Sequence, residues 1–178
     1  MDVGTGEVDA DDGVAGGLAS TPQRGTEPGR RTGDGDHSHG PDRSVRAVHD
    51  LRALVDGYAV AADERDADAF AALFTPDATL TVLVDGEQRG RYAGADEIGT
   101  VPAKLARYRR TLHLVSTHHS VVDDDEDEAT GTAYCEAHHV DDDGDRVLFI
   151  RYDDRYVRTP DGWRFAARAV NTLWSEQR

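Results

Sequence analysis

From Ser44 onward, apolar residues recur at Val45, Val48, Leu51, Leu54, Val55, Tyr58, Ala59 and Ala62. That three-to-four spacing lays one stripe along one face of an α-helix, and Ser44 is a side chain suited to capping it. Asp66 reads as the cap of a second, shorter helix carrying Ala67, Phe70, Leu73 and Phe74, which Pro76-Asp77 stops. The period then changes. Residues 78–84 are rich in β-formers, Asp85-Gly86 is a tight-turn signal, and residues 88–92 can pair back as a hairpin. A third helix is predicted within residues 95–109, interrupted at Pro102, which cannot continue a helical ladder. The remainder alternates as four strands, 112–122, 129–140, 146–157 and 163–173, joined by polar or turn-forming connections. Helices come first and strands dominate afterwards. The pattern therefore predicts an α+β domain with helices packed on one face of a curved antiparallel sheet, not a parallel βαβ arrangement.

Residues 1–42 break this patterning: they contain no aromatic residue and hold 10 of the 18 glycines. Such a stretch buries too little apolar area to offset its ordering entropy, so a disordered acidic, glycine-rich tail is expected there, ahead of one domain over residues 43–178. Its His37-x-His39 pair reads as part of a solvated tail. The formal net charge is −15, and residues 43–178 alone hold 26 acidic against 17 basic side chains. Nucleic acid and anionic membrane surfaces are thereby excluded as partners, since both would be repelled. Among the 20 basic residues only Lys104 is a lysine. Acidic surfaces stay hydrated when salt screens repulsion, so this balance is read as a halophilic cytoplasm. A single cysteine, Cys135, rules out an internal disulfide, and no stretch has the length or layout of a membrane span or signal peptide. A cytoplasmic location is expected.

Imidazoles and one carboxylate carry the candidate chemistry. Along the strand that ends at His139, alternation puts Gly131, Ala133, Cys135, Ala137 and His139 on one face, while His138 points away. A row of small side chains ending in a histidine reads as the floor of a pocket. His113 lies on the preceding strand, and Asp63 ends the first helix. Adjacent histidines on a strand, His118-His119 and His138-His139, cannot aim both rings at one place, and no fixed ligand spacing supports a three-histidine metal site with His113. The acidic runs 123–127 and 141–143 lack the alternating ligands of a calcium loop and read as hairpin tips. No metal or cofactor is expected.

Several segments resemble the SnoaL-like domains of the nuclear-transport-factor-2-like superfamily, whose members include scytalone dehydratase, ketosteroid isomerase and polyketide cyclases. They are Tyr58-Ala59-Val60-Ala61-Ala62-Asp63-Glu64-Arg65-Asp66, Leu73-Phe74-Thr75-Pro76-Asp77-Ala78, His113, Ala137-His138-His139, Tyr152-Asp153-Asp154, Asp161-Gly162-Trp163-Arg164-Phe165 and Trp174. The resemblance implies a cone-shaped antiparallel sheet with three N-terminal helices on its concave face. It also implies that Asp63 orients His139 as a dyad, that His113 is a second catalytic histidine, and that Tyr58 donates to a developing oxyanion. Phe74, Val82, Cys135, Tyr152 and Asn171 are the substrate-binding residues that this reading selects. Ala62 and Val82 stand where scytalone dehydratase has two water-holding tyrosines, and Val82 also where ketosteroid isomerase has its catalytic base, so neither activity transfers intact.

What survives is a lyase- or isomerase-type enzyme without a cofactor, in which a His-Asp dyad moves a proton next to a carbonyl in a hydrophobic pocket. The expected ligand is a hydrophobic carbonyl-containing small molecule, and the resemblance implies a homo-oligomer, dimer or trimer. The alternative is a non-catalytic ligand-binding or accessory module on the same fold, including one like the small subunit of a ring-hydroxylating dioxygenase.

Overall fold

A computed structural model describes residues 43–125 and 127–178. The tail expected over residues 1–42, with His37 and His39, lies outside them. Helix α1 spans Arg43–Glu64 and α2 Ala67–Ala72; strands β1, Phe74–Val84, and β2, Glu87–Ala93, follow as a hairpin. A short helix α3, Ala95–Ile98, and a 3-10 helix, Pro102–Arg107, lead into β3, Arg110–Val122, β4, Glu128–Asp141, β5, Gly144–Thr159, and β6, Gly162–Gln177. The six strands form one sheet in the order β2-β1-β6-β5-β4-β3. The predicted third helix is thus two pieces, and Pro102 starts the second, where its missing N–H costs nothing.

Two expectations are corrected. The sheet is not wholly antiparallel, because β1 runs parallel to β6. Local patterning cannot reveal this, since it joins the first strand to the last. Val45 and Val48, counted in the stripe of α1, are 61% and 44% exposed. The buried face runs instead through Ala47, Leu51, Leu54, Val55, Tyr58 and Ala62, so small Ala47 takes the place of two valines.

Helix α1 lies along β3. A register shift between Val115 and His118 interrupts the β3–β4 ladder, and the Arg52 guanidinium of α1 donates to the carbonyls of Val115 and Ser116 at 3.1 and 2.8 Å. One long side chain thereby satisfies backbone groups beside the bulge and clamps the helix there. Asp66 caps α2 through Ala69 N–H at 2.9 Å, and α2 then buries Phe70 against Tyr58, with ring centroids 4.7 Å apart.

The inner face of the sheet carries the core, and at its centre is an ion pair. Asp154 of β5 and Arg168 of β6 stand directly opposite each other. Arg168 Nε and Nη2 donate to the two Asp154 oxygens, both at 2.8 Å, with neither side chain exposed. The Tyr156 hydroxyl donates to the same carboxylate, and Tyr58, Tyr152 and Phe165 hold their rings 4.1–4.3 Å from the guanidinium carbon. On β4, Gly131 makes room for Tyr156: an added Cβ would sit 2.9 Å from the tyrosine ring and 3.2 Å from the His119 carbonyl oxygen.

Two stability predictions follow from this core. Asp154→Ala strands a buried cation and is expected to cost about 3–5 kcal/mol in urea unfolding. A loss below ~1 kcal/mol would mean the pair is solvated. Gly131→Ala is expected to cost about 1–3 kcal/mol by pushing Tyr156 off Asp154, and an unchanged urea midpoint would show that the ring yields freely.

Candidate functional site

Where α1 ends, its carboxylate meets β3. Asp63 Oδ1 is 2.7 Å from His113 Nδ1, and Asp63 Oδ2 accepts the His113 backbone N–H at 2.8 Å. One residue therefore holds both oxygens. Burial alone would raise the Asp63 carboxyl, but the hydrogen bonds and charge of His113 outweigh it and hold the group below its ordinary value. Asp63 is therefore ionised at neutral pH and accepts the proton on His113 Nδ1, so that Nε2 is the ring nitrogen the carboxylate does not engage. The His113 side chain is only 8% exposed.

His113 lines a cavity of about 160 Å³ between the helices and the inner face of the sheet. Strands supply Leu80, Val82, Leu148, Ile150, Val170 and Thr172; α1 and α2 supply Tyr58, Ala62 and Phe70. Val101, Pro102 and Leu105 cover it. That cover is tied down by Arg65, whose guanidinium donates to the main-chain carbonyls of Leu105, Tyr108 and Asp63 at 3.4, 3.1 and 3.0 Å. Arg65 reaches them from a left-handed backbone, φ 58°, at the turn after α1.

His139 enters the same cavity from β4. Its ring stacks on Tyr108, 4.5 Å between centroids, and stands edge-on to His113 at 5.7 Å. Its Nε2 is buried and has no hydrogen-bond partner among the described residues. Burial, and then repulsion from His113, Arg107 and Arg146, push its pKa down to about 4. At neutral pH it is an uncharged imidazole that can donate or accept one hydrogen bond but carries no spare proton.

Beneath the cavity, Tyr58 and Tyr152 separate it from Arg168. Burial raises the Tyr58 hydroxyl to about 12 despite the nearby guanidinium, so it stays protonated.

The dyad expected between Asp63 and His139 is replaced by one between Asp63 and His113. The reason is placement: α1 packs along β3, so its C-terminal carboxylate meets the β3 imidazole, and β4 lies one strand further in. Tyr58, His113 and His139 do share the cavity, with Val82 and Tyr152 in its wall. Phe74, Cys135 and Asn171 are not in that lining. Phe74 packs behind it against Phe165 and Phe70, and the buried Cys135 thiol is pushed up to about 11 by that burial. Asn171 falls between the lining residues Val170 and Thr172 and faces the other side of the sheet. The small residues Ala133, Cys135 and Ala137 of β4, expected as the floor of the pocket, are packed in the core instead, and of that row only His139 lines the cavity. His138 points away and meets Asp145 at 2.7 Å.

Sequence reasoning missed Arg168, Arg65 and the cover. For Arg168 a signal existed: on alternating β5 and β6 an Asp and an Arg occupy inward positions, which demands a partner. The acidic tips serve local turns, Asp123 Oδ1 accepting from Asp127 and Glu128 N–H, and Asp141 Oδ1 from Asp143 N–H.

Residues 43–169 match the model of a SnoaL-like domain. An uncharacterized protein of Mycobacterium tuberculosis, and one of Mycobacterium bovis, are each 33% identical over 137 residues, covering 71% of this chain and 90% of theirs. Among solved structures, a protein provisionally assigned as a scytalone dehydratase from Novosphingobium aromaticivorans superposes with a TM-score of 0.65 at 21% identity, over 76% of this chain and 88% of that one. The type 3 hexachlorocyclohexane dehydrochlorinase LinA of Novosphingobium barchaimii gives 0.63 at 18%, over 76% and 90%. At those identities the structures speak for the fold, while the family model, matched over residues 43–169, establishes that the chain belongs to the SnoaL-like domain family.

Proposed function

We propose that the protein is a lyase- or isomerase-type enzyme that works by proton transfer on a small hydrophobic molecule without a cofactor. The observation that carries this reading is the 2.7 Å contact of Asp63 with a nearly buried His113 in the wall of an apolar cavity. His113 Nε2 takes a proton from carbon next to a carbonyl, and Asp63 stabilises the imidazolium that forms. The C–H electron pair moves onto the carbonyl oxygen, giving an enolate to which Tyr58 or His139 donates a hydrogen bond. In an elimination, the enolate then expels a group from the neighbouring carbon, which departs with its bonding pair while His113 keeps the proton. In an isomerisation His113 returns the proton to a different carbon. Two structural neighbours are named for eliminations, dehydration and dehydrochlorination, which agrees with the first course.

NMR-detected exchange of the α-protons of cyclohexanone for solvent deuterium tests the base. His113→Gln is expected to slow enzyme-dependent exchange by about 10²–10⁴-fold, and exchange at the parent rate would remove His113 from the mechanism. His139 gives a separate pH signature. Its folded value near 4 lies below the ordinary 6.5, so the unfolded chain takes up that proton first as pH falls. The stability that neutral His139 secures at pH 7 is accordingly lost between about pH 6.5 and 4. Thermal melts should show the midpoint falling across this window, and His139→Phe should flatten the fall. Asp63, held below its ordinary 3.8, contributes its own loss only at lower pH. Parallel slopes for parent and variant would refute the neutral assignment of His139.

A further inference from the structure

Resting on the acid–base reading, we propose that this site takes an uncharged molecule no larger than a single ring with one hydrogen-bonding group, and that Val101 and Leu105 set the size limit. Volume comes first. The cavity of about 160 Å³ matches an engineered apolar cavity of about 150 Å³ that holds benzene, and lies below the roughly 300–1,000 Å³ of sites for drug-sized ligands.

Enlarging it means moving something fixed. Leu80, Val82, Leu148, Ile150 and Val170 project from strands paired on both sides. On the opposite wall Pro102 is fully buried, and Arg65 holds the Leu105 and Tyr108 carbonyls from a position two residues past Asp63. The cover is thus anchored to the same chain segment that bears the dyad. Val101 and Leu105 are the lining side chains on it whose removal opens space without touching the sheet.

Charge comes second. A carboxylate or phosphate would find no lysine or arginine among the lining residues, with the Asp63 anion directly behind His113. Arg168 already gives two donors to Asp154 and lies behind the rings of Tyr58 and Tyr152. Arg107 and Arg146 act on His139 from exposed positions outside the lining. An ammonium fares no better, because no carboxylate is among the lining residues: Asp63 sits behind His113, and Asp154 is held by Arg168 and Tyr156. An ion entering this site would lose its hydration without a partner. Against that, His139 Nε2 is a buried polar atom still lacking a partner among the described residues. It stands on the ring whose centroid is 5.7 Å from that of His113, close enough for both imidazoles to touch atoms of one small ring.

Titration of the full chain with cyclohexanone, 1-decalone and cyclohexanecarboxylate, followed by NMR at the histidine rings and leucine methyls, tests this without requiring turnover. Cyclohexanone is expected to give saturable shifts at His113, His139 and Leu105. The two-ring ketone should bind at least about tenfold more weakly because the walls cannot yield, and the carboxylate should give no saturable shift. Leu105→Ala, or Val101→Ala should the first variant fold poorly, is expected to close the gap between the two ketones. The proposal is overturned if the parent binds 1-decalone as tightly as cyclohexanone, if the carboxylate saturates, if cyclohexanone does not bind, or if neither enlarged variant changes the ratio. Binding of cyclohexanone without deuterium exchange would remove the dyad mechanism and leave the ligand class standing; the two ideas therefore fail separately.

Discussion

A charge removed from water must be neutralised where it stands, and the inner face of this sheet is organised around meeting that requirement for Arg168. Its guanidinium draws Asp154 from the neighbouring strand, and Asp154 in turn fixes the Tyr156 hydroxyl. The flat faces left over are covered by Tyr58, Tyr152 and Phe165, where a cation gains from the ring quadrupole. Tyr58 belongs to α1 and Tyr152 to β5, so the same group ties helix to sheet. These two tyrosines are also the base of the cavity. The ion pair thus decides where the filled core stops and the open space begins.

Above that base the site follows from one helix direction. Arg52 clamps α1 to the bulged stretch of β3, and about three turns later Asp63 reaches the imidazole of the same strand. Because the carboxylate also binds the His113 backbone N–H, the ring is held at both its side chain and its root. That arrangement points Nδ1 at the carboxylate and leaves Nε2 unengaged by it, while burial keeps His139 uncharged beside it. Two imidazoles in one apolar hollow therefore sit in different electrostatic settings, set by which of them has a carboxylate.

Particular residues show how far the sequence could be read. The helical stripe from Leu51 to Ala62, the Asp66 cap, the break at Pro102 and the long final strands are local patterns, and they appear as elements close to the expected bounds. Alternation on β4 correctly turned His139 inward and His138 outward. Phe74 and Asn171 were misplaced for different reasons. Phe74 is as apolar as any lining residue but packs one layer too deep, and depth is invisible to periodicity. Asn171 has the wrong parity on β6, which could have been seen from Arg168, Val170 and Thr172.

The sequence by itself determined the order of elements, the inward face of β4 and the small set of titratable groups available, because those depend on neighbours within a few positions along the chain, while a resemblance carried by short segments pointed to the fold family. Only the tertiary structure decided that β1 lies parallel to β6, that Asp63 binds His113 instead of His139, and that the hollow between them holds about 160 Å³. Each of these depends on where one element packs against another distant in the chain, and packing distance is a property of the assembled solid that no local spacing encodes.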